Sequence, residues 1–135
     1  MATITMRYEG ELHCEAVHTS SGSALNTDAP KDNHGRGGSF SPTDLVATAL
    51  GTCILTTMAI VAESMKLDIH GAHATVEKAM ATQLPRRIAS LKTNVVMPTG
   101  IAIDHRERLE AAAHKCPVHH SLHPDIDAPI TFTWA

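Results

Sequence analysis

The feature that most constrains this chain is the stretch from Leu45 to Ala62, which contains no charged side chain. Its start is marked by Ser41, a suitable N-cap, by Pro42 at the first helical position, and by Asp44 three residues beyond the cap. The stretch reaches the lower length limit of a membrane span, but threonines dilute it and no Lys/Arg pattern flanks it. We therefore predict a buried central helix over residues 45–65.

The apolar character of this helix has a consequence for assembly. A helix that is apolar on nearly every side must be covered on every side. A chain of 135 residues offers about one sheet to cover it. We therefore predict that a second copy of the chain covers the remaining faces, which makes the protein a homodimer.

The rest of the sequence alternates short strand patterns with one further helix, which predicts a single α+β domain over residues 1–135. The helix is expected from Asp104 to Lys115, with Asp104 as N-cap and Glu107 closing a capping box. Pro117 ends this helix or opens a short new one. A loop is expected between Pro30 and Ser39. The predicted strands are Ile4–Tyr8, Leu12–Ala16, Ala24–Asp28, Asp68–Ala79, Arg87–Val96 and Pro129–Trp134, the last at a sheet edge.

Composition and charge exclude several functional classes. The net charge is −3, with 11 basic and 14 acidic residues, and the aromatic residues are two Phe, one Tyr and one Trp. Such a chain lacks the basic face and the stacking platforms of nucleic-acid binders. The N-terminal segment does not have the pattern of a signal peptide. An odd number of cysteines, three, argues against a disulfide scaffold and favours a cytoplasmic protein with reduced thiols.

Two of the cysteines lie at positions that suggest chemistry. Cys53 lies near the middle of the central helix, as a small core side chain or as a reactive thiol. Cys116 lies at a helix junction, where amide N–H groups of a following helix can stabilise a thiolate. Sequence spacing alone does not show whether the two sulfurs meet. Cys14 lies in a predicted strand without a partner motif and is expected to be a packed thiol.

The motif Ser41-Pro42-Thr43-Asp44-Leu45 leads to Gly51-Thr52-Cys53, and Cys116-Pro117-Val118-His119 follows in the same order as in a known family. On these motifs the whole chain resembles the OsmC/Ohr family, the osmotically inducible proteins C and the organic hydroperoxide resistance proteins. The resemblance implies an OsmC-like α+β fold. In it, antiparallel sheets wrap around a long central helix, and an intertwined homodimer carries two active sites at its interface.

The resemblance also implies an activity, the thiol-dependent reduction of organic hydroperoxides. Cys53 would be the peroxidatic cysteine that becomes a sulfenic acid, and Cys116 the resolving cysteine that forms a disulfide with it. An external dithiol, for example of lipoyl type, would reduce the disulfide, without a cofactor or a metal. An apolar pocket around Cys53, formed by Val46, Leu50 and Ile54 and by the partner subunit, is expected to favour alkyl or lipid hydroperoxides.

Family members supply a cation to the reactive cysteine from an arginine that a carboxylate holds. The family's carboxylate position corresponds here to Thr43, and Asp44 lies one residue later, about 100° around the helix. Asp44 is therefore either that carboxylate or only a capping residue. Arg36, in a glycine-rich loop, is the preferred arginine, with a solvated loop charge as its alternative. Arg86 and Arg87 are weaker candidates for the same role.

A second class of function rests on the histidines. Cys116, His119, His120 and His123 offer one sulfur and three imidazoles, which suit zinc in type. No distant second pair has clear ligand spacing. The alternative to a peroxidase is therefore a binding or metal-holding protein on the same fold, without efficient peroxidase turnover.

Overall fold

The computed structural model describes residues 1–135, and the chain divides into two compact units, residues 1–46 and 47–135. The fold is α+β, as predicted. Each unit contains one three-stranded sheet. The elements in chain order are β1 (Ile4–Tyr8), β2 (His13–His18), β3 (Ala24–Asp28), α1 (Pro42–Ser64), β4 (His73–Met80), β5 (Ile88–Val96), α2 (Ile103–Ala113), α3 (Pro117–Ser121) and β6 (Ile130–Thr133).

The sheet of the first unit is antiparallel, with β2 between β1 and β3. Its pairing places the apolar side chains of β1 and Leu25 of β3 on one face, because residues two apart along a strand share a face. That face is open to solvent in the single chain, with Met6 68% exposed and Ile4 and Tyr8 also exposed. An apolar sheet face of this kind is typical of a surface that another chain covers.

The start of α1 is a reciprocal capping box. The backbone N–H of Ser41 donates to Oδ2 of Asp44 at 2.9 Å, and the N–H of Asp44 donates to Oγ of Ser41 at 3.1 Å. Pro42 occupies the first helical position, where its missing N–H costs nothing. The predicted helix start is confirmed.

The sheet of the second unit is mixed. Strands β4 and β5 pair antiparallel, whereas β6 pairs parallel to β5, with Thr93 opposite Ile130 and Val96 opposite Thr133. The predicted antiparallel pairing is present between β4 and β5, and β6 departs from it. A parallel pair needs a crossover connection, and α2 and α3 with their flanking loops form it.

One face of α1 contributes to the core of the second unit. Leu50, Ile54 and Met58 follow one another at four-residue spacing and are completely buried. The inward-facing residues of β5 alternate with exposed or half-buried ones, and Leu91 and Val95 are also completely buried. A Cβ at Gly51 would lie 3.1 Å from a methyl group of Val76 in β4, so a small residue is needed where α1 approaches the sheet.

The other face of α1 remains open in the single chain. Ile60 is 63% exposed, and Thr52 and Thr56 on the same side are exposed as well. By length and composition alone α1 could cross a membrane, with a mean hydropathy of 2.1 over its most apolar window. A core helix of a soluble protein passes the same test, so the feature is weak evidence for a span.

The second helix differs from the prediction at its start. Helix α2 begins at Ile103 rather than after Asp104, and Ala102 is its N-cap in an extended conformation. No side chain caps this end, so the expected capping box of Asp104 and Glu107 is wrong. Asp104 instead lies in the first turn, where a carboxylate interacts favourably with the helix dipole.

Candidate active site

The second unit brings two of the three cysteines together. Cys53 lies on α1 and is half-buried, whereas Cys116 is completely buried between α2 and α3. The two sulfurs lie close enough for each thiol to shift the pKa of the other. Both thiols are free rather than joined in a disulfide. The contact that sequence spacing left open is therefore present in the fold.

Backbone donors of α3 face both sulfurs. The N–H of Val118 lies near the sulfur of Cys53 and lowers its pKa. The N–H of His119 donates to Sγ of Cys116 at 3.4 Å, and Cys116 is thereby the N-cap of α3. The hydroxyl of Thr57, one turn beyond Cys53 on α1, lies 4.0 Å from the Cys53 sulfur. An amide group of the following helix does reach Cys116, as expected, but burial and Cys53 raise the pKa of Cys116 rather than lower it.

The surroundings shift the pKa values of the two thiols in opposite directions. Burial raises the pKa of Cys53, but hydrogen bonds from Cys116, the Val118 amide and Thr57 outweigh it and bring the pKa below the ordinary value of a cysteine. Burial raises the pKa of Cys116, and donating its proton to Cys53 raises it further. Hydrogen bonds to a charged form favour that form. The thiol of Cys53 therefore ionises more readily than the thiol of Cys116.

Two of the apolar residues expected around Cys53 lie in the core. Leu50 and Ile54, expected to line an apolar pocket, are completely buried. Their side chains pack in the core of the second unit, and the pocket expected with the partner subunit stays a prediction.

Arg36 is held by carboxylates within the first unit. Its guanidinium donates to Asp28 at 3.2 Å and to Glu11 at 3.3 Å. Asp28 also accepts a hydrogen bond of 2.7 Å from Nδ1 of His13 and is 4% exposed. The hydrogen bond from His13 lowers the pKa of Asp28 most, and Arg36 adds to it against the opposing effect of burial. Arg36 is thus a paired loop cation, and its role toward Cys53 stays a prediction.

The other predicted charged residues have local partners. Asp44 forms the capping box with Ser41 described above, which is one of the two roles expected for it. Arg87 donates to the carbonyl oxygen of Ile88 at the start of β5 and is exposed. Cys14 lies on β2 opposite Tyr8, half-buried and free, as expected of a packed thiol.

The zinc ligand set considered from sequence is not assembled. His119 uses Nε2 for the carbonyl oxygen of Ala128, at 3.1 Å, and His123 accepts from the N–H of Asp125. No group of three or more His, Cys, Asp or Glu side chains is placed to hold a metal ion.

Three residues that accompany the candidate site residues were missed from sequence. Thr57 follows Cys53 by four residues, so helical spacing could have found it. Asp28 and His13, which accompany Arg36, are brought together by the pairing of β2 with β3. No short-range signal in the sequence announces that pairing.

Comparison with known proteins settles the family. A model of the family described as OsmC-like protein matches residues 35–130, most of the chain. The chain belongs to the OsmC-like protein family. This agrees with the resemblance seen in the two cysteine motifs. No curated protein matches the chain significantly.

Solved structures of this family share the fold along nearly the whole chain. A candidate osmotic stress induced and detoxification response protein from Psychrobacter arcticus 273-4 is 38% identical, with a TM-score of 0.92. The alignment covers 98% of this chain and 96% of that one. An organic hydroperoxide resistance protein OsmC from Legionella pneumophila is 20% identical over 98% of this chain and 96% of its own, with a TM-score of 0.77.

A third structure carries a bound molecule. It is a candidate organic hydroperoxide resistance protein from Vibrio cholerae with captopril in one of its active sites. It is 19% identical over 98% of this chain and 90% of its own, with a TM-score of 0.78. At this level of identity the likeness to the Legionella and Vibrio proteins establishes the OsmC-like fold and no more.

Proposed function

We propose that this OsmC-like protein is a thiol peroxidase that reduces organic hydroperoxides to alcohols and is recycled by an external dithiol. The observation that carries the proposal is the contact between Cys53 and Cys116, whose pKa values are shifted in opposite directions. The names of the Legionella and Vibrio neighbours point to the same class of substrate.

The reaction divides between the two sulfurs. The Cys53 thiolate attacks the distal oxygen of the hydroperoxide, the O–O bond breaks, and the alkoxide leaves as the alcohol after taking up a proton. The Cys53 sulfenic acid then condenses with the Cys116 thiol, which forms the disulfide and releases water. An external dithiol, for example a lipoyl group, reduces this disulfide by exchange and is itself oxidised to a cyclic disulfide.

The hydrogen bonds around the pair support this order. A peroxidatic cysteine must be a thiolate, and interactions with Cys116, Val118 and Thr57 lower the pKa of Cys53. A resolving cysteine must wait as a thiol within reach of the sulfenic acid, and the burial and raised pKa of Cys116 support that role. We assign supporting roles to Arg36 and Asp44. Arg36 would supply a cation to the thiolate, and Asp44 would be the carboxylate that helps to hold this cation.

The test is a stepwise titration with cumene hydroperoxide, without reductant and followed by mass spectrometry. One equivalent per chain should convert Cys53 and Cys116 to a disulfide, so that accessible thiols in denaturant fall from three to one. Peptide mapping should find Cys14 unmodified. The protein as purified should contain no stoichiometric metal.

Two results would contradict the proposal. One is a full count of thiols after several equivalents of hydroperoxide. The other is stoichiometric zinc that is retained while no disulfide forms, because a zinc-bound thiolate cannot also resolve a sulfenic acid. The second result would favour the metal-holding alternative.

We further propose that the protein is a homodimer of the cytoplasm. Two apolar surfaces of the single chain support this, the face of the first sheet that carries Met6 and the exposed side of α1 around Ile60. Sedimentation velocity at micromolar concentration should show a dimer that does not dissociate on dilution. Met6→Lys and Ile60→Lys should each shift the distribution toward monomer, whereas Lys66→Glu on the exposed end of the same segment should not. A folded, monomeric wild-type protein would rule the dimer out.

A further inference from the structure

The short helix α3 carries the two amide groups that face the sulfurs, yet its five residues are too few to hold it in place by themselves. Helices of this length depend on tertiary contacts. The question is therefore which side chain fixes α3 against the rest of the second unit.

The side chain of His119 ties α3 to the segment before β6 through a hydrogen bond to a backbone carbonyl. Its Nε2 lies 3.1 Å from the carbonyl oxygen of Ala128. A carbonyl oxygen only accepts, so Nε2 carries the proton and donates it. Protonation of the second ring nitrogen leaves this donor in place, so the hydrogen bond is available to both forms of the imidazole.

The acceptor belongs to a segment that the sheet fixes. The N–H of Asp127 donates to Ala89 at 3.0 Å, its carbonyl accepts from Leu91 at 2.9 Å, and the carbonyl of Pro129 accepts from Thr93 at 3.0 Å. Ala128 lies between these two anchored residues, next to β5. A hydrogen bond from His119 to Ala128 therefore ties α3 to the sheet.

The ring of His119 is also restrained from its side. His114, just after α2, packs edge-on against His119 with ring centroids 6.1 Å apart, and His114 packs in the same way against Phe132 of β6 at 6.5 Å. The imidazole is half-buried in this position. These contacts limit the rotation of the ring and keep Nε2 directed at Ala128.

We propose that His119 is a positioning residue, whose hydrogen bond to Ala128 holds the amide groups of Val118 and His119 against the sulfurs of Cys53 and Cys116. It acts through the backbone of α3 and touches no reacting atom. The inference rests on the proposed function only for its consequence in catalysis. The positioning itself concerns the thiol pair, whatever that pair does.

The test measures the reactivity of the Cys53 thiol directly. The rate of Cys53 carboxamidomethylation by iodoacetamide is followed against pH in the reduced full-length protein, with peptide mass spectrometry to separate Cys53 from the other cysteines. In His119→Ala the midpoint of this pH profile should rise by about one pH unit, because the Val118 donor is no longer held. Below the midpoint, the thiolate fraction of Cys53 is then roughly tenfold smaller.

The chain offers a matched control and a rescue. His120 is exposed on the same helix and its side chain makes no hydrogen bond, so His120→Ala should keep the wild-type midpoint. His119→Gln can place an amide N–H near the position of Nε2, so its midpoint should return most of the way to the wild-type value. His119→Asn is too short to do so and should keep the raised midpoint. Circular dichroism confirms that each variant is folded.

A midpoint in His119→Ala equal to that in His120→Ala would overturn the inference, as would a Gln variant that behaves like the Ala variant. Should His119→Ala not fold, the comparison of the Gln and Asn variants decides in the same way. A shifted midpoint in a protein without peroxidase turnover would support the positioning role and count against the proposed function alone.

Discussion

Cys53→Ser is expected to abolish peroxidase turnover, with a loss of at least about three orders of magnitude, as is typical when a nucleophile is removed. A serine hydroxyl fits the same space and can take part in the same hydrogen bonds, but it does not ionise near neutral pH and cannot attack the peroxide oxygen. The measurement is the steady-state consumption of cumene hydroperoxide with dihydrolipoamide as the dithiol.

The matched control is Cys14→Ser. Cys14 is half-buried on β2 of the first unit and makes no contact that bears on the proposed chemistry. This variant should retain near wild-type turnover and the single disulfide of the oxidised protein. Equal losses in Cys14→Ser and Cys53→Ser would show that the peroxidatic sulfur has been misassigned.

Cys116→Ser should separate the two halves of the reaction. A serine hydroxyl can still donate to the Cys53 sulfur, so the first reaction with peroxide should proceed within about tenfold of the wild-type rate. The product cannot resolve. Mass spectrometry without reductant should find Cys53 with one added oxygen, trapped by dimedone, and then with two and three as more hydroperoxide is supplied.

Steady-state turnover of this variant should fall by about two orders of magnitude, because the sulfenic acid must wait for an external thiol and is lost to over-oxidation meanwhile. Wild-type protein treated in parallel should show the disulfide and no sulfinic acid at low excess of peroxide. A Cys116→Ser protein that turns over as fast as the wild type would remove Cys116 from the mechanism.

What the sequence predicts well in this chain is local. The capping box of Ser41 and Asp44 joins residues three apart, so the motif contains all the atoms that form it. The same reasoning fails at Asp104, where α2 starts two residues earlier than predicted. An Asp-x-x-Glu pattern suits an N-cap at Asp104. The helical conformation already begins at Ile103, however, so Ala102 is the N-cap.

The sequence does not show which distant segments pair with each other, or whether paired strands run parallel or antiparallel. Alternation predicts that residues 130–133 form a strand, but not that the strand runs parallel to β5. Arg36 was singled out from its glycine-rich loop, whereas its carboxylate partner Asp28 comes from the pairing of β2 with β3. The contact of Cys53 with Cys116 was supplied by family resemblance, since it depends on where the crossover between β5 and β6 is placed.

The crossover between β5 and β6 determines when during folding Cys53 and Cys116 come together. Cys53 is on a helix made early in the chain, while Cys116 lies about 60 residues later, ahead of the strand that closes the sheet. Contacts between segments so far apart in sequence form slowly, because loop closure precedes any gain from packing. A nascent or partly folded chain therefore carries three unrelated cysteines, and we expect paired, peroxide-reactive sulfur only in chains that have completed folding.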